Sequence, residues 1–284
     1  MHISLKPEVL FNLGPIPFTN SLLTSLIAAL LLCISAIVVG KNYKRLPSGL
    51  QHVFEMVYEM FENLATDALG KDGRKFTPFA ATLFLFILVN NWLGIVPGVG
   101  SIGFYHKAET AEHAAVVTEK IASVTTSVNG DSFATPAAAE GEALVFTPLF
   151  RGGNADLNMT FALALISMVV IHASAIRSAG LGHHLAHFKN PLEIVSELGK
   201  ILSYSFRLFG NVFAGEVLLT AMASIIAIVT NNFSNTLFAL PGGLVAVPFY
   251  LFELFVGFIQ AFVFAVLTLS FMSVFYKTES SHAH

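Results

Sequence analysis

Five stretches of the chain contain no Asp, Glu, Lys or Arg, and each is at least 20 residues long. A helix needs about 20 apolar residues to cross a hydrocarbon core of roughly 30 Å, so each stretch is long enough to span a bilayer. Only 12% of the residues are charged, against roughly 25% in a soluble domain. We therefore predict an all-α, polytopic membrane protein with about five membrane helices in a single membrane domain over residues 1–284. The uncharged stretches are Val9–Gly40, Phe76–His106, Leu157–Ile176, Val217–Phe252 and Leu254–Tyr276.

The basic residues are unevenly distributed among the loops. Eight of the 15 Lys and Arg residues follow the first and third stretches, whereas residues 100–156 hold three basic and seven acidic residues. Because Lys and Arg accumulate in cytoplasmic loops, we expect the N-terminus outside the cell and the C-terminus inside. A secretory signal peptide does not fit the first stretch, since its basic flank follows the apolar run instead of preceding it. The uncharged segment 231–243, which contains Pro241-Gly242-Gly243, is interpreted as the turn between the last two spans.

Two segments between the spans have contrasting patterns. Residues 46–70 repeat apolar residues at helical spacing and predict an amphipathic helix on the cytoplasmic membrane surface, with Gly70 as its C-cap. Residues 101–155 are interpreted as an external, periplasmic insertion loop, since 106–147 is rich in Ala, Thr, Ser and Glu. A short helix is expected near 108–124.

Several kinds of chemistry are not supported by the sequence. The net charge of −3 does not favour nucleic acid as a partner, and the single Cys33 excludes a disulfide framework and a Cys-based metal site. No Gly-rich phosphate loop is present, so we expect this chain to be non-catalytic toward ATP and to need no cofactor. His183, His184 and His187 lack a nearby carboxylate ligand set, which argues against a metal site.

The 76 residues from Ile201 to Tyr276 contain only three charges, Arg207, Glu216 and Glu253. An arginine at the bilayer centre costs at least about 2.5–3.5 kcal/mol, so such a charge indicates a functional site. At 100° per residue Arg207 shares a helix face with Asn211, Ser203 and Lys200, and Glu193 falls within about 40° of that face. A polar line is thus predicted from the cytoplasmic end to the middle of the membrane.

The two carboxylates lie on the other side of Arg207. Glu216 is nine residues further along, which is about 180° around the helix and about 13 Å nearer the outside. Glu253 and Gln260 are seven residues apart and stack on one face of the last span. Carboxylates load and release protons, whereas a guanidinium stays protonated and acts as an electrostatic gate. The layout is therefore typical of two offset half-channels separated by a barrier.

Simpler interpretations of the polar residues stay open at this stage. Glu216 could form a structural ion pair with Arg207 or another helix, and Asn211 and Gln260 could only join helices by hydrogen bonds. Further candidate site residues are Asn91, Asp156, Asn158, His172 and Lys200. The structural alternatives are helix packing for Asn91, an N-cap for Asp156 and Asn158, and a packed histidine for His172.

The segment Ser205–Glu216 has the sequence SFRLFGNVFAGE. This segment closely resembles the signature of subunit a of the F-type ATP synthase, the membrane stator that faces a rotating ring. The resemblance covers most of the chain except the external insertion. It extends to Pro47, Gln51 and Glu55, to Asn91–Gly98, to Asp156–Thr160 and to Glu253–Gln260.

The resemblance implies a role for individual residues. Arg207 matches the essential arginine that faces the ring carboxylate and prevents protons from passing directly between half-channels. The outer half-channel is matched by Asn211, Glu216, Glu253 and Gln260, and the inner side by Glu193, Lys200 and Ser203. Glu253 occupies a position that is His in some members and acidic in others. The family fold also has two long, tilted helices along the ring.

The resemblance further implies partners and a location. The expected partners are the c-ring subunits, b-type peripheral stalk subunits, the F1 sector indirectly, and the lipid bilayer. Two departures stand out: the insertion before Asp156 is not part of the common pattern, and Ile201 stands where many members have proline. Glu at position 216, together with the insertion, favours a bacterial protein of the inner membrane.

Two other classes of function compete with this interpretation. A secondary antiporter would carry its own carboxylate site, but five spans without an inverted repeat argue against it. A noncatalytic membrane scaffold would use its charges as structural pairs, and replacing Arg207 and Glu216 together by apolar residues would then leave activity intact.

Overall fold

The computed structural model describes residues 7–14, 16–46, 49–96, 102–107, 144–180, 191–232 and 239–280. Within these ranges the chain forms six α-helices, two antiparallel strand pairs and two short 3-10 segments. The helices are α1 (Asn20–Lys41), α2 (Leu50–Leu69), α3 (Thr77–Ile95), α4 (Leu157–Ala179), α5 (Pro191–Asn232) and α6 (Ala239–Ser280). The strands are β1 (Val9–Leu13), β2 (Ile16–Thr19), β3 (Gly103–Lys107) and β4 (Leu144–Pro148), and the 3-10 segments are Gly70–Lys75 and Gly153–Ala155.

The helices account for the predicted membrane spans. Among the described residues, four segments are long and apolar enough to cross a bilayer, namely α1, α3, Leu157–Arg177 of α4 and Val247–Val274 of α6. The fifth predicted crossing corresponds to α5, which packs against both α4 and α6. The prediction of an all-α, polytopic membrane protein is confirmed.

The last two helices are unusually long. Each has 42 residues, which corresponds to roughly 63 Å at 1.5 Å per residue. A hydrocarbon core is only about 30 Å thick, so helices of this length either tilt strongly or project from the bilayer. Two long helices agree with the family fold implied by the sequence.

The first uncharged stretch is not helical throughout, so the prediction of one span from Val9 to Gly40 was wrong at its start. Residues 9–13 and 16–19 form the paired strands β1 and β2, and Gly14 follows β1 at a φ of 66°. Pro17 also lacks the backbone N–H that a helix interior needs. The helix begins after Thr19, whose side chain accepts a hydrogen bond from the Leu22 N–H at 3.3 Å.

The connection between the last two helices is shorter than the sequence suggested. Helix α5 continues to Asn232 and α6 begins at Ala239, so Pro241-Gly242-Gly243 belongs to the start of α6 and not to a turn. Proline is compatible with the first turn of a helix, because its missing N–H has no intrahelical partner there.

Helix α2 is the predicted amphipathic helix. Its apolar face docks on the membrane helices, where the ring of Phe61 lies 5.3 Å from that of Phe84 on α3 and 6.2 Å from that of Phe262 on α6. Gly70 ends the helix as expected, with a φ of 70° and its N–H bonded to the Thr66 carbonyl. The 3-10 segment then folds back so closely that a Cβ on Gly73 would overlap the backbone of Ala65.

The segment between α3 and α4 contains the second pair of strands. Strands β3 and β4 pair in antiparallel register from Gly103↔Pro148 to Lys107↔Leu144. The short helix expected near 108–124 lies outside the described residues, as do His183, His184 and His187. The residues after β4 turn inward, and 151–156 are all buried.

Candidate functional site

Arg207 lies in a groove of about 250 Å³ between α5 and α6. Lys200 and Ser203 line the same groove from α5, and Leu267 and Phe271 line it from α6. The Arg207 guanidinium donates through Nη2 to the Ser203 Oγ at 3.5 Å. The helical spacing therefore correctly placed Lys200, Ser203 and Arg207 on one face.

Toward the N-terminal end of α5, this face holds a carboxylate that the sequence analysis missed. Glu197 is 5% exposed, and its Oε1 accepts a hydrogen bond from the Lys200 ammonium at 2.5 Å. Its Oε2 lies 3.6 Å from Nε2 of His172 on α4. Glu193, which was nominated, is half-buried in the first turn of α5. The spacing of three residues between Glu197 and Lys200 was a signal that could have identified Glu197.

His172 and Lys200 are therefore neighbours of one buried carboxylate. The Lys200 ammonium also lies 5.2 Å from the centre of the Phe271 ring, a geometry that stabilises a cation. His172 is not merely packed among apolar side chains, since the ring reaches from α4 to the charged pair on α5.

Nine residues beyond Arg207 on α5, Glu216 pairs with a residue that the sequence analysis missed. Arg151 donates through Nη2 at 3.0 Å and through Nε at 3.2 Å, both to Oε2 of Glu216. Arg151 is 7% exposed and the Glu216 side chain 34%. Glu216 therefore forms its ion pair with the segment before α4 and not with Arg207. Arg151 is the sole Lys or Arg from residue 121 to residue 176, a signal that could have identified it.

Glu253 lies close to the same part of α5. Its side chain is 5% exposed, and its carboxylate occupies the space where a Cβ of Gly215 would be. Gly215 precedes Glu216 directly, so both predicted outer carboxylates reach one short section of α5. Asn211 and Gln260 are both half-buried.

A network of hydrogen bonds, which we call the polar seam, joins α1, α3 and α6 to the segment before α4. Asn154 donates to Asn91 Oδ1 at 2.7 Å and to the Ile87 carbonyl at 3.3 Å. Asn91 in turn donates to the Gly257 carbonyl of α6 at 2.9 Å. These bonds satisfy polar groups that would otherwise be costly in a membrane. The helix-packing interpretation of Asn91 accounts for its contacts.

Asp156 completes the polar seam at the start of α4. Its Oδ1 accepts the Asn158 N–H at 2.9 Å, which makes it the N-cap, and its Oδ2 accepts the Ser21 hydroxyl of α1 at 3.0 Å. Asp156 is buried, whereas Asn158 is exposed. The carboxylate therefore both begins α4 and ties it to α1.

Replacing Asn154 by Ala is expected to lower the stability of the folded chain by about 1–3 kcal/mol, because two buried acceptors lose their donor. The measurement is the temperature at which the detergent-purified complex releases this subunit. Asn63→Ala is the control, since Asn63 is exposed on α2. Release of both variants at the same temperature would contradict a stabilising role for Asn154.

These features define a class of protein. The chain is a helical membrane protein with charged and carboxylate side chains on two long adjacent helices, and such intramembrane charges mark ion pathways. Among the described residues, no group of three or more His, Cys, Asp or Glu is arranged to hold a metal ion.

The chain belongs to the ATP synthase A chain family, whose model matches residues 22–273. It is 28% identical to the ATP synthase subunit a of Moorella thermoacetica, over 95% of this chain and 97% of that protein. It is 30% identical to the subunit a of Mycobacterium ulcerans over 93% and 89%, and 28% identical to that of Enterococcus faecalis over 96% and 99%. The family is the proton-translocating stator subunit of the F-type ATP synthase, so this chain is a membrane protein that works with the c-ring and the rest of that complex.

Proposed function

We propose that the chain provides two offset half-channels that meet at Arg207 and deliver protons to a carboxylate of the partner ring. The observation that carries this proposal is the position of Arg207. It is exposed in a groove of α5, with Glu197 ten residues before it and Glu216 nine residues after it. A fixed positive charge between two sets of carboxylates blocks direct proton passage, because a guanidinium does not release its proton.

The outer half-channel consists of Asn211, Glu216, Glu253 and Gln260. Glu216 and Glu253 take up protons from the outside, and the contact of Glu253 with Gly215 supports their action in one section of α5. Asn211 and Gln260 provide polar groups nearer the level of Arg207, as their spacing of four and seven residues from Arg207 and Glu253 indicates.

The inner half-channel consists of Glu193 and Ser203, with Lys200 and His172 beside them. The hydrogen bond between Arg207 and Ser203 supports a polar route along this face of α5. The contacts of Glu197 with His172 and Lys200 support its inclusion in the inner route.

We further propose an orientation and a set of partners. The N-terminus and segment 101–155 face the periplasm, and helix segment 46–70 and the C-terminus face the cytoplasm, in a bacterial inner membrane. The excess of Lys and Arg after the first and third spans supports this orientation. The b-type peripheral stalk subunits are the expected cytoplasmic partners, and F1 is contacted through them.

Access from opposite sides tests the two half-channels. In a Cys33→Ser background, Gln260→Cys is expected to react with a membrane-impermeant maleimide added outside, and Ser203→Cys with the same reagent added inside. Labelling is measured in right-side-out and inverted vesicles. Leu165→Cys is the control, since Leu165 is exposed on α4 in an apolar span and is expected to react from neither side.

Reaction of Gln260→Cys and Ser203→Cys from one and the same side would contradict two offset half-channels. Reaction of Leu165→Cys would show that the reagent crosses the bilayer, in which case the reagent is replaced by a larger one.

A further inference from the structure

We propose that Arg151 is a positioning residue of the outer half-channel, which holds the Glu216 carboxylate at a fixed point beside α5. The inference rests on the proposed function, because it assumes that Glu216 carries protons. Neither the family signature nor the charge pattern of the membrane spans assigns a role to Arg151.

The geometry of the pair is specific. Nη2 and Nε of Arg151 lie 3.0 Å and 3.2 Å from the same oxygen, Oε2 of Glu216. The Arg151 side chain is 7% exposed and the Glu216 side chain 34%, so the guanidinium side of the ion pair is buried while the carboxylate side stays accessible. Charge-assisted hydrogen bonds of this kind are stronger and more directional than neutral ones.

The backbone on either side of the guanidinium is fixed. The Arg151 N–H donates to Thr24 Oγ1 of α1 at 3.3 Å, and Asn154 is bonded to α3. Gly152 and Gly153 permit this docking, because a Cβ on Gly153 would overlap Ser25 and Asn90. Arg151 therefore connects a carboxylate of α5 to the α1–α3 side of the molecule.

This arrangement suits a carboxylate that is loaded and unloaded repeatedly. Both hydrogen bonds end on Oε2, so an incoming proton binds Oε1 and Glu216 becomes a neutral acid. Arg151 keeps its own proton throughout. When the proton leaves for the ring, the restored Glu216 carboxylate binds the same guanidinium again. The Glu216 side chain is thereby kept from turning into the bilayer or toward Arg207.

The test is ATP-driven acidification of inverted vesicles, normalised to the amount of assembled complex. Arg151→Gln is expected to lower the initial rate roughly 10-fold, because the positive charge and the charge-assisted bonds are lost. Arg151→Lys is expected to stay within about threefold of wild type, since one ammonium can serve Oε2, the Glu216 oxygen that both Nη2 and Nε of Arg151 bond. Glu216→Asp, which shortens the pair from its other side, is expected to lower the rate several-fold. Arg74→Gln is the control, because Arg74 is exposed and pairs with Glu62 away from this site.

A wild-type pumping rate in Arg151→Gln would overturn the inference. An Arg151→Lys variant as slow as Arg151→Gln would also overturn it, because the defect would then come from lost packing and not from lost charge. If Arg151→Gln does not copurify with the ring, the decision rests on Arg151→Lys and Glu216→Asp, and a wild-type rate for Glu216→Asp would overturn the inference. Arg207→Ala is measured in the same vesicles. Normal pumping by Arg207→Ala would contradict the proposed function itself. Loss of pumping in Arg207→Ala together with a wild-type rate in Arg151→Gln would contradict only the role of Arg151.

Discussion

Replacing Arg207 by Ala is expected to abolish ATP-driven proton pumping while leaving the complex assembled. Arg207 is the fixed charge between the two proposed half-channels, and no neutral side chain reproduces a guanidinium that stays protonated. We expect a loss of more than roughly 100-fold in the acidification rate of inverted vesicles, since both the barrier and the partner of the ring carboxylate disappear. Arg207→Lys is expected to fail as well, because an ammonium facing a proton-carrying carboxylate can give up its proton, whereas a guanidinium cannot.

The fold should tolerate this change. Arg207 is exposed, and its hydrogen bond to Ser203 is long at 3.5 Å, so copurification of the ring and the ATPase should be unaffected. Arg177→Ala is a matched control, since Arg177 is exposed near the end of α4. Normal pumping by an assembled Arg207→Ala complex would favour the scaffold alternative, in which the membrane charges are structural.

The local pattern of the sequence was sufficient to predict one face of α5. Lys200, Ser203 and Arg207 are three or four residues apart, and helical geometry alone brings residues with that spacing together. The same argument predicted α2 and its end at Gly70. Such features depend on a period of 3.6 residues and on the nearest turn, which a single sequence contains.

The features that the sequence did not predict depend on contacts between distant segments. Arg151 and Glu216 are 65 residues apart and Asn91 and Asn154 are 63 apart, and no helical period relates them. Their meeting requires that the segment before α4 enter between α1 and α3, which follows from the packing around Gly152 and Gly153.

The predicted start of the first span was wrong for a different reason. Absence of charge shows that a segment tolerates an apolar environment, but it does not show that the segment is helical. Gly14, Pro15 and Pro17 were visible in the sequence and favour a turn and extended backbone. These three residues together with the charge pattern predict a start of α1 close to Asn20.

Replacing Gly215 by Ala is expected to lower ATP-driven pumping more than about 10-fold, because the added Cβ would overlap the carboxylate of Glu253. Glu253 must then leave its buried position, or α5 and α6 must separate. Either change removes a proposed proton carrier from its place beside Glu216. The measurement is acidification of inverted vesicles, with copurification of the ring as the check on assembly.

Gly40→Ala is the matched control, since Gly40 is also helical but a Cβ there meets nothing within 4 Å. The double variant Gly215→Ala with Glu253→Asp separates the two causes. The shorter carboxylate leaves room for the Cβ, so part of the pumping rate should return if the overlap is the defect. A Gly215→Ala complex that pumps at the wild-type rate would mean that Glu253 can move without consequence. Glu253 would then not belong to the outer half-channel, and Glu216 would be the proton carrier on that side.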